Sequence, residues 1–375
     1  MKKTSYDAHV RAHKALYNRV LTQAGLDAIV VYAGRPGVHF LDDNHYPFKV
    51  SPLFKAWLPV IDAPDSFIVL RAGQTPTLIY CQPVDYWHAV PADPDAFWAD
   101  RFNIEIVNTP EQARALMPEG KVAFLGEAAS DILAWGFSEI NPERVLNTLH
   151  YARAWKSEYE LECLTEATRI GVAGHRAARD AFETGASEFD IHLAYAKATG
   201  LDDHTLPYQN IIALNEHAAI LHYMTLKREA PAEMRSFLID AGGSCNGYAS
   251  DITRTYTTSN GTFADLILEV DTLQQDLCNQ LKPGLNYVEL HERATLALAQ
   301  VLERAQIIHC SAEEAVASGL ATCFFPHGLG HYLGLQVHDV GGFMGNESGT
   351  HVAPPEAYPT LRLTRTVEAS HVMTI

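Results

Sequence analysis

The residues best suited to chemistry are Asp240 and Asp251, each beside a short β-like stretch. Phe237-Leu238-Ile239-Asp240-Ala241-Gly242-Gly243 runs into Asn246-Gly247-Tyr248-Ala249-Ser250-Asp251-Ile252-Thr253-Arg254-Thr255. The turn formers between Gly243 and Gly247 predict a hairpin that folds the two stretches against each other. Asp240 and Asp251 then meet across the pair, where directly opposed Cβ atoms are ~5 Å apart. Carboxylates so placed raise each other's pKa unless a cation neutralises them, and a divalent metal meets that need. A lone aspartate beside glycine usually makes only a turn or a local hydrogen bond; the histidines downstream favour the chemical role.

Phe324-Phe325-Pro326-His327-Gly328-Leu329-Gly330-His331 leads into Leu335-Gln336-Val337-His338-Asp339-Val340-Gly341-Gly342, so three histidines fall within twelve residues. Gly328 and Gly330 argue against a helix presenting His327 and His331 on one face, and they permit a close backbone approach to something small. Spacing does not distinguish which histidine would bind metal. Mixed carboxylate and imidazole ligation suits Mn²⁺, Co²⁺ or Zn²⁺ and disfavours Cu(I). With two such ions the natural chemistry is hydrolysis, a bridging hydroxide attacking while the metals polarise the acceptor oxygen.

The elements that must position these groups fall into two styles. Residues 5–24 carry Val10, Leu16, Val20 and Leu21 at helical spacing, and Ala28-Ile29-Val30-Val31-Tyr32 reads as a buried strand. Strands at 66–70, 77–80 and 121–125 with helical patterns near 111–116 and 128–135 complete a small α/β domain. Between Pro47 and Pro94 the many prolines and aromatics predict ordered covering loops or a subunit contact. At Lys156 the style changes. Ser157-Glu158-Tyr159-Glu160 is a capping box that starts a long helix, and Ser187-Glu188-Phe189-Asp190 starts a second after Gly185. Beyond lie expected strands at 211–214, 219–223, 236–240 and 248–256, then helices over 263–281 and 287–305. The boundary therefore falls between a domain of residues 1–155 and one of residues 156–375.

A length of 375 residues allows two or three domains. With 28 Lys plus Arg against 45 Asp plus Glu the net charge is −17, which opposes binding to nucleic acid or to an anionic membrane surface. Six dispersed cysteines make no disulfide framework. Met1-Lys2-Lys3 is a basic start, but Asp7, His9, Arg11 and His13 follow where a signal peptide needs an apolar run, so a cytoplasmic location is expected.

Taken together these segments resemble the pita-bread metallopeptidases, and within them the bacterial Xaa-Pro dipeptidases (prolidases), including the organophosphorus acid anhydrolase-like branch. Lys156-Ser157 with Glu160-Leu161, Leu221-His222-Tyr223, the Asp240/Asp251 hairpin, His327-Gly-Leu-Gly-His331 and Val337-His338 occur in the family's order, and Phe40 to Lys49 resembles that branch. The resemblance implies a creatinase-like N-terminal α/β domain followed by a pita-bread catalytic domain. It implies a homodimer with two divalent metal ions, manganese first and cobalt or zinc as alternatives. It implies cleavage of Xaa-Pro dipeptides before proline, with phosphotriester hydrolysis as a side activity.

Carried over by position, Asp240, Asp251 and His331 resemble metal ligands. His222, His327 and His338 resemble catalytic residues. Tyr208, Leu221 and Val337 resemble substrate-binding residues, and Asp43 one that reaches the neighbouring subunit's site. The family's lead-in strand to two further ligating glutamates matches Val367 to Ile375, where the sequence ends, so the resemblance implies a catalytic domain truncated at its C-terminus and an impaired site. A proline-specific aminopeptidase, a creatinase-like amidinohydrolase and a non-catalytic peptide-binding module are the competing expectations.

Overall fold

The computed structural model describes residues 3–127 and 129–375. Met1 and Lys2, the basic start, and Ala128, the first residue of an expected helical pattern, lie outside the described residues. The first half builds α1 (Lys3–Ala24), β1 (Ala28–Tyr32), α2 (Pro52–Lys55), β2 (Phe67–Leu70), β3 (Thr77–Cys81) and β4 (Asn103–Val107). It continues with α3 (Pro110–Arg114), β5 (Val122–Leu125), α4 (Ser130–Leu133), β6 (Glu139–Ile140) and α5 (Glu143–Ala152). The six strands form one mixed sheet in the order β4-β3-β2-β1-β5-β6. Its centre is buried on both faces: Ile29 and Val31 pack with Tyr17 and Trp57, whereas Val30 and Tyr32 pack with Phe124 and Ile132. Burial of alternate residues on opposite faces is why β1 reads as an unbroken apolar run.

The covering loops expected between Pro47 and Pro94 are divided. Phe48, Phe54 and Trp57 are buried, but Tyr86 and Trp87 stand out into solvent.

The capping box at Ser157 forms as expected, with Ser157 Oγ accepting from the Glu160 amide and Glu160 Oε2 accepting from the Ser157 amide. It opens α6 (Glu158–Glu183), which pairs with α7 (Glu188–Thr199). The following strands are β7 (Ile211–Leu214), β8 (Ser236–Ala241), β9 (Ser244–Cys245), β10 (Tyr248–Ala249) and β11 (Ile252–Thr257). Strands β11-β8-β7 make an antiparallel sheet packed on α6 and α7 through Phe182, Ile191, Tyr195, Phe237 and Ile239. Helices α8 (Thr262–Gln280), α9 (Tyr287–Arg304), α10 (Ala312–Ala317) and α11 (Leu320–Phe324) complete the chain's regular structure among the described residues. No helix among the described residues is long and apolar enough to cross a membrane.

Three expected strands are corrected. Residues 219–223 form no strand, because Glu188 holds this loop locally, accepting from the Tyr223 hydroxyl and the Lys227 amide. The expected strand at 248–256 is two strands broken at Ser250-Asp251. The stretch from Val367 to Ile375 makes isolated bridges, such as Tyr332 with Met373 and Trp155 with His371, instead of a continuous strand.

Candidate active site

The hairpin is positioned by a tight turn and a close backbone approach. Asn246 and Gly247, both with positive φ, form the two-residue turn that joins β9 to β10. A Cβ on Gly243 would lie 2.2 Å from the Ala167 carbonyl oxygen of α6, so glycine there lets the hairpin rest directly on the helix. In the β8–β11 ladder Asp240 faces Thr253, and Asp251 lies one residue before β11. The aspartates therefore meet across the pair as diagonal neighbours and are not directly opposed, because the register sets Asp240 against Thr253, two residues beyond Asp251.

Tyr208 fills the space between them. Its hydroxyl is 2.8 Å from Asp240 Oδ1 and 2.9 Å from Asp251 Oδ1, and its single proton serves one carboxylate at a time. Burial, then both carboxylates, push its pKa up and keep the phenol protonated. His331 Nε2 is 3.1 Å from Asp251 Oδ2. Burial raises the Asp251 pKa, but the bond to His331 and that ring's charge outweigh it and the net shift is downward. At Asp240 burial dominates and Asp251 adds to it, so its pKa is raised despite the Tyr208 bond.

A cavity of about 850 Å³ collects Tyr208, His222, Asp240, Asp251, Val337 and His338. His338 packs edge-on against His331 at 4.4 Å between ring centroids. Its Nδ1 is 3.2 Å from an Arg362 guanidinium nitrogen, and because arginine only donates, Nδ1 accepts and the neutral ring carries its proton on Nε2. Burial, with His331 and Arg362, pushes the His338 pKa down to about 4.

The opposite wall comes from the N-terminal half, through Phe48, Lys49, Val50 and Lys55. Phe48 and Lys49 end the Phe40–Lys49 stretch that carried the N-terminal resemblance but were given no role there, and Val50 and Lys55 carry no motif and were missed. So too with Asp339, buried beneath His338 and paired with Lys156 Nζ at 2.8 Å and with Arg153. Arg153 also reaches Gln336 Oε1 at 3.1 Å, so the Leu335–Asp339 segment is tied to the junction between the two halves.

Of the expected site residues, His331 meets this cavity through Asp251 and His338, and three others stand apart from it. His327 is exposed; its Nδ1 is 3.0 Å from the carbonyl of Gly328 and its ring packs edge-on against Phe325 at 5.0 Å, the ring on which buried His291 also packs. Leu221 projects into solvent from the loop that carries His222. Asp43 lies on an exposed loop tip closed by the Val38–His45 bridge. The glycines around His327 also do different work from that expected. They admit the chain's own backbone, a Cβ on Gly330 falling 2.0 Å from the Thr374 carbonyl oxygen.

Among the described residues no three His, Cys, Asp or Glu side chains already stand at metal-holding spacing. Asp251 is engaged by His331 and Tyr208, and Asp240 is offset along the ladder. The donor chemistry nonetheless fits a divalent cation. Two carboxylates press on one another, and His331 Nδ1 donates to the Tyr332 carbonyl at 2.9 Å, which fixes the ring with Nε2 against Asp251, where a cation would take the place of the Nε2 proton. That second bond is how metal-ligating histidines are oriented.

Comparison with known proteins follows the same two halves. "Xaa-Pro dipeptidase, N-terminal domain" matches residues 4–151, and "Metallopeptidase family M24" matches residues 162–375. The chain is 50% identical over 373 residues to the Xaa-Pro dipeptidase of Pseudoalteromonas haloplanktis, covering 99% of this chain and 85% of that one. It is 49% identical over 360 residues to the Xaa-Pro dipeptidase of Aeromonas hydrophila, covering 95% and 82%. A solved structure of zinc-substituted E. coli aminopeptidase P with product has the same fold, with a TM-score of 0.75 at 19% identity over 100% of this chain and 86% of that one.

Proposed function

The chain belongs to metallopeptidase family M24 and carries the N-terminal domain of Xaa-Pro dipeptidases, and on that premise we propose that it hydrolyses Xaa-Pro dipeptides at the bond before proline in the cavity between its halves. The observation that carries this reading is the convergence of Asp240, Asp251, Tyr208, His222 and His338 on one cavity. Asp240, Asp251 and His331 are the residues to hold two divalent ions, manganese in the first instance. A bound divalent ion would supply Lewis acidity toward the scissile carbonyl and lower the pKa of the attacking water.

The chain's own groups bind and orient. His338 presents Nε2–H as a hydrogen-bond donor, suited to the substrate carbonyl oxygen as negative charge develops there. His222 faces the same space from the loop before β8. Val337 offers an apolar surface to the proline ring, and the Tyr208 hydroxyl holds the two carboxylates in place. His327 and Leu221 lie outside the cavity and have no role in this reading.

Asp43, on its exposed loop, is assigned to a neighbouring subunit's cavity in a homodimer. Cytoplasmic location and phosphotriester hydrolysis at the same centre complete the proposal. Metal analysis with a hydrolysis assay on Ala-Pro and Leu-Pro in added Mn²⁺ tests it. Metal-dependent release of proline is expected; a protein that binds no metal and cleaves neither dipeptide would overturn it.

A further inference from the structure

The loop that leads into Tyr208 is held by the other half of the protein. Residues 202–206 form a turn whose amides face inward. Asp202 Oδ1 accepts from the amides of His204 and Thr205 at 3.1 and 3.0 Å and from the Thr205 hydroxyl at 2.7 Å, and the Asp202 carbonyl accepts from the Leu206 amide at 2.8 Å. The carbonyls turn outward, and those of Asp203, His204 and Leu206 converge on Lys49 Nζ at 3.0, 2.6 and 2.8 Å. An ammonium has three donors and no acceptor, so the three carbonyls use it fully. Lys49 is itself fixed at its base, because its chain neighbours Phe48 and Val50 are buried in a core with Phe54 and Trp57.

Tyr208 follows directly. Leu206 is buried with Ile212 and Ile239, and Pro207, whose ring fixes φ, leaves little slack between the clamped carbonyls and the phenol. The Tyr208 ring rests on Gly242, where a Cβ would come 2.8 Å from its Cε1, and its hydroxyl reaches both Asp240 and Asp251. A path of short steps thus runs from the N-terminal half through Lys49, the 203–206 carbonyls and Tyr208 to the two carboxylates.

We propose that Lys49 is a positioning residue that sets the Tyr208 hydroxyl between Asp240 and Asp251, so that the N-terminal half governs how tightly the two carboxylates take up divalent ions. The proposal rests on the reading of Asp240, Asp251 and His331 as ion-holding residues and deepens it. Lys49 acts through Tyr208 and takes no part in bond cleavage. Its own charge works in the opposite direction: an ammonium lining a cavity repels a divalent cation there, so by Coulomb's law alone its removal would tighten metal binding.

The test is calorimetric titration of Mn²⁺ into wild type, Lys49→Met, Lys49→Arg, Tyr208→Phe and the double variant Lys49→Met/Tyr208→Phe, each shown to be folded by thermal melting. Groups that orient metal-binding side chains contribute roughly ten- to hundredfold in affinity. Lys49→Met should therefore weaken Mn²⁺ binding roughly tenfold, and Lys49→Arg should retain most of it. Adding Lys49→Met to Tyr208→Phe should change little, because the path has already lost the hydroxyl at its end. Unchanged or tighter binding by Lys49→Met would overturn the proposal. So would an equal loss in both backgrounds, the result a merely structural lysine gives. If wild type binds no Mn²⁺, the ion-holding reading fails, and hydrogen exchange in the metal-free protein still reads whether Lys49 fixes Tyr208. Faster exchange over residues 203–212 and 250–254 in Lys49→Met, restored in Lys49→Arg, supports it, and exchange equal to wild type over 250–254 overturns it.

Discussion

Asp251 and His331 join the two chemical segments of this protein: Nε2 of the histidine lies 3.1 Å from Oδ2 of the aspartate, although one belongs to the hairpin and the other to a glycine-rich stretch beyond α11. Both are donors of the kind that bind Mn²⁺ or Zn²⁺, and a ligand that binds only the folded state stabilises it by mass action. At a metal concentration of about a hundred times Kd the gain is about 2.7 kcal/mol. Thermal melting with and without Mn²⁺ should show a rise for the wild type, strongly reduced in His331→Ala and in Asp251→Asn. A rise of full size in both variants would place the metal elsewhere.

Asp339 should be far less replaceable than Lys156. Removing the aspartate leaves two buried cations without a counter-charge, a change that costs about 3–5 kcal/mol. Removing Lys156 leaves the Arg153–Asp339 pair intact and electrically balanced, and the cost falls to about 1–2 kcal/mol. Urea denaturation of Asp339→Ala and Lys156→Met measures both. A larger loss for Lys156→Met than for Asp339→Ala at pH 7 would reverse this reading.

What could be read from the sequence was whatever depends on neighbours along the chain. The Ser157 capping box, the turn between Gly243 and Gly247 and the β1 apolar run each follow from a few adjacent residues, and all three form, the turn at Asn246-Gly247. Asp240, Asp251, His331 and His338 were legible because carboxylates and imidazoles among glycines have few structural uses. The strand expected at 219–223 failed because its fate depends on Glu188, a buried carboxylate on α7 that the local pattern does not reveal. The clamp made by Lys49 and the partners of Asp339 were hidden for the same reason, since their roles come from packing between the two halves. His327 and Leu221 show the converse limit: proximity in sequence to His331 and His222 brought His327 neither to Asp251 nor to the cavity, and left Leu221 in solvent.

Acid should weaken the fold through buried histidines, with His291 a clear case. It is 2% exposed, packed between Phe325 and Tyr358, and its Nδ1 has no hydrogen-bond partner among the described residues. Burial, then the nearby His327, push its pKa from the ordinary 6.5 down to about 4. The unfolded chain therefore binds the proton more readily, and stability contributed by the neutral ring is present above about pH 6.5 and lost as pH falls toward 4. Full loss amounts to about 3 kcal/mol. Stability measured from pH 7 to pH 4 should fall less steeply in His291→Phe than in wild type. His150 and His371, lowered in the same way, should keep the slope from vanishing.

Gly330 should couple stability to the site, whereas Gly185 should not. A Cβ at Gly330 would lie 2.0 Å from the Thr374 carbonyl oxygen and 2.7 Å from the Tyr287 hydroxyl. The first obstacle is backbone, so the chain itself must shift. The adjacent residue is His331, whose amide donates to Thr374 Oγ1 and whose carbonyl accepts from the Thr374 amide, so the same shift carries the imidazole away from Asp251. Overpacking of this kind costs about 1–3 kcal/mol. At Gly185 the positive φ makes alanine unfavourable by about 1 kcal/mol, but no atom lies within reach of the new Cβ. Gly330→Ala should therefore lose both stability and most of the Mn²⁺-induced rise in melting temperature, and Gly185→Ala only a little stability. Retention of the full metal response by Gly330→Ala would show that the position of His331 is set by something other than this backbone contact.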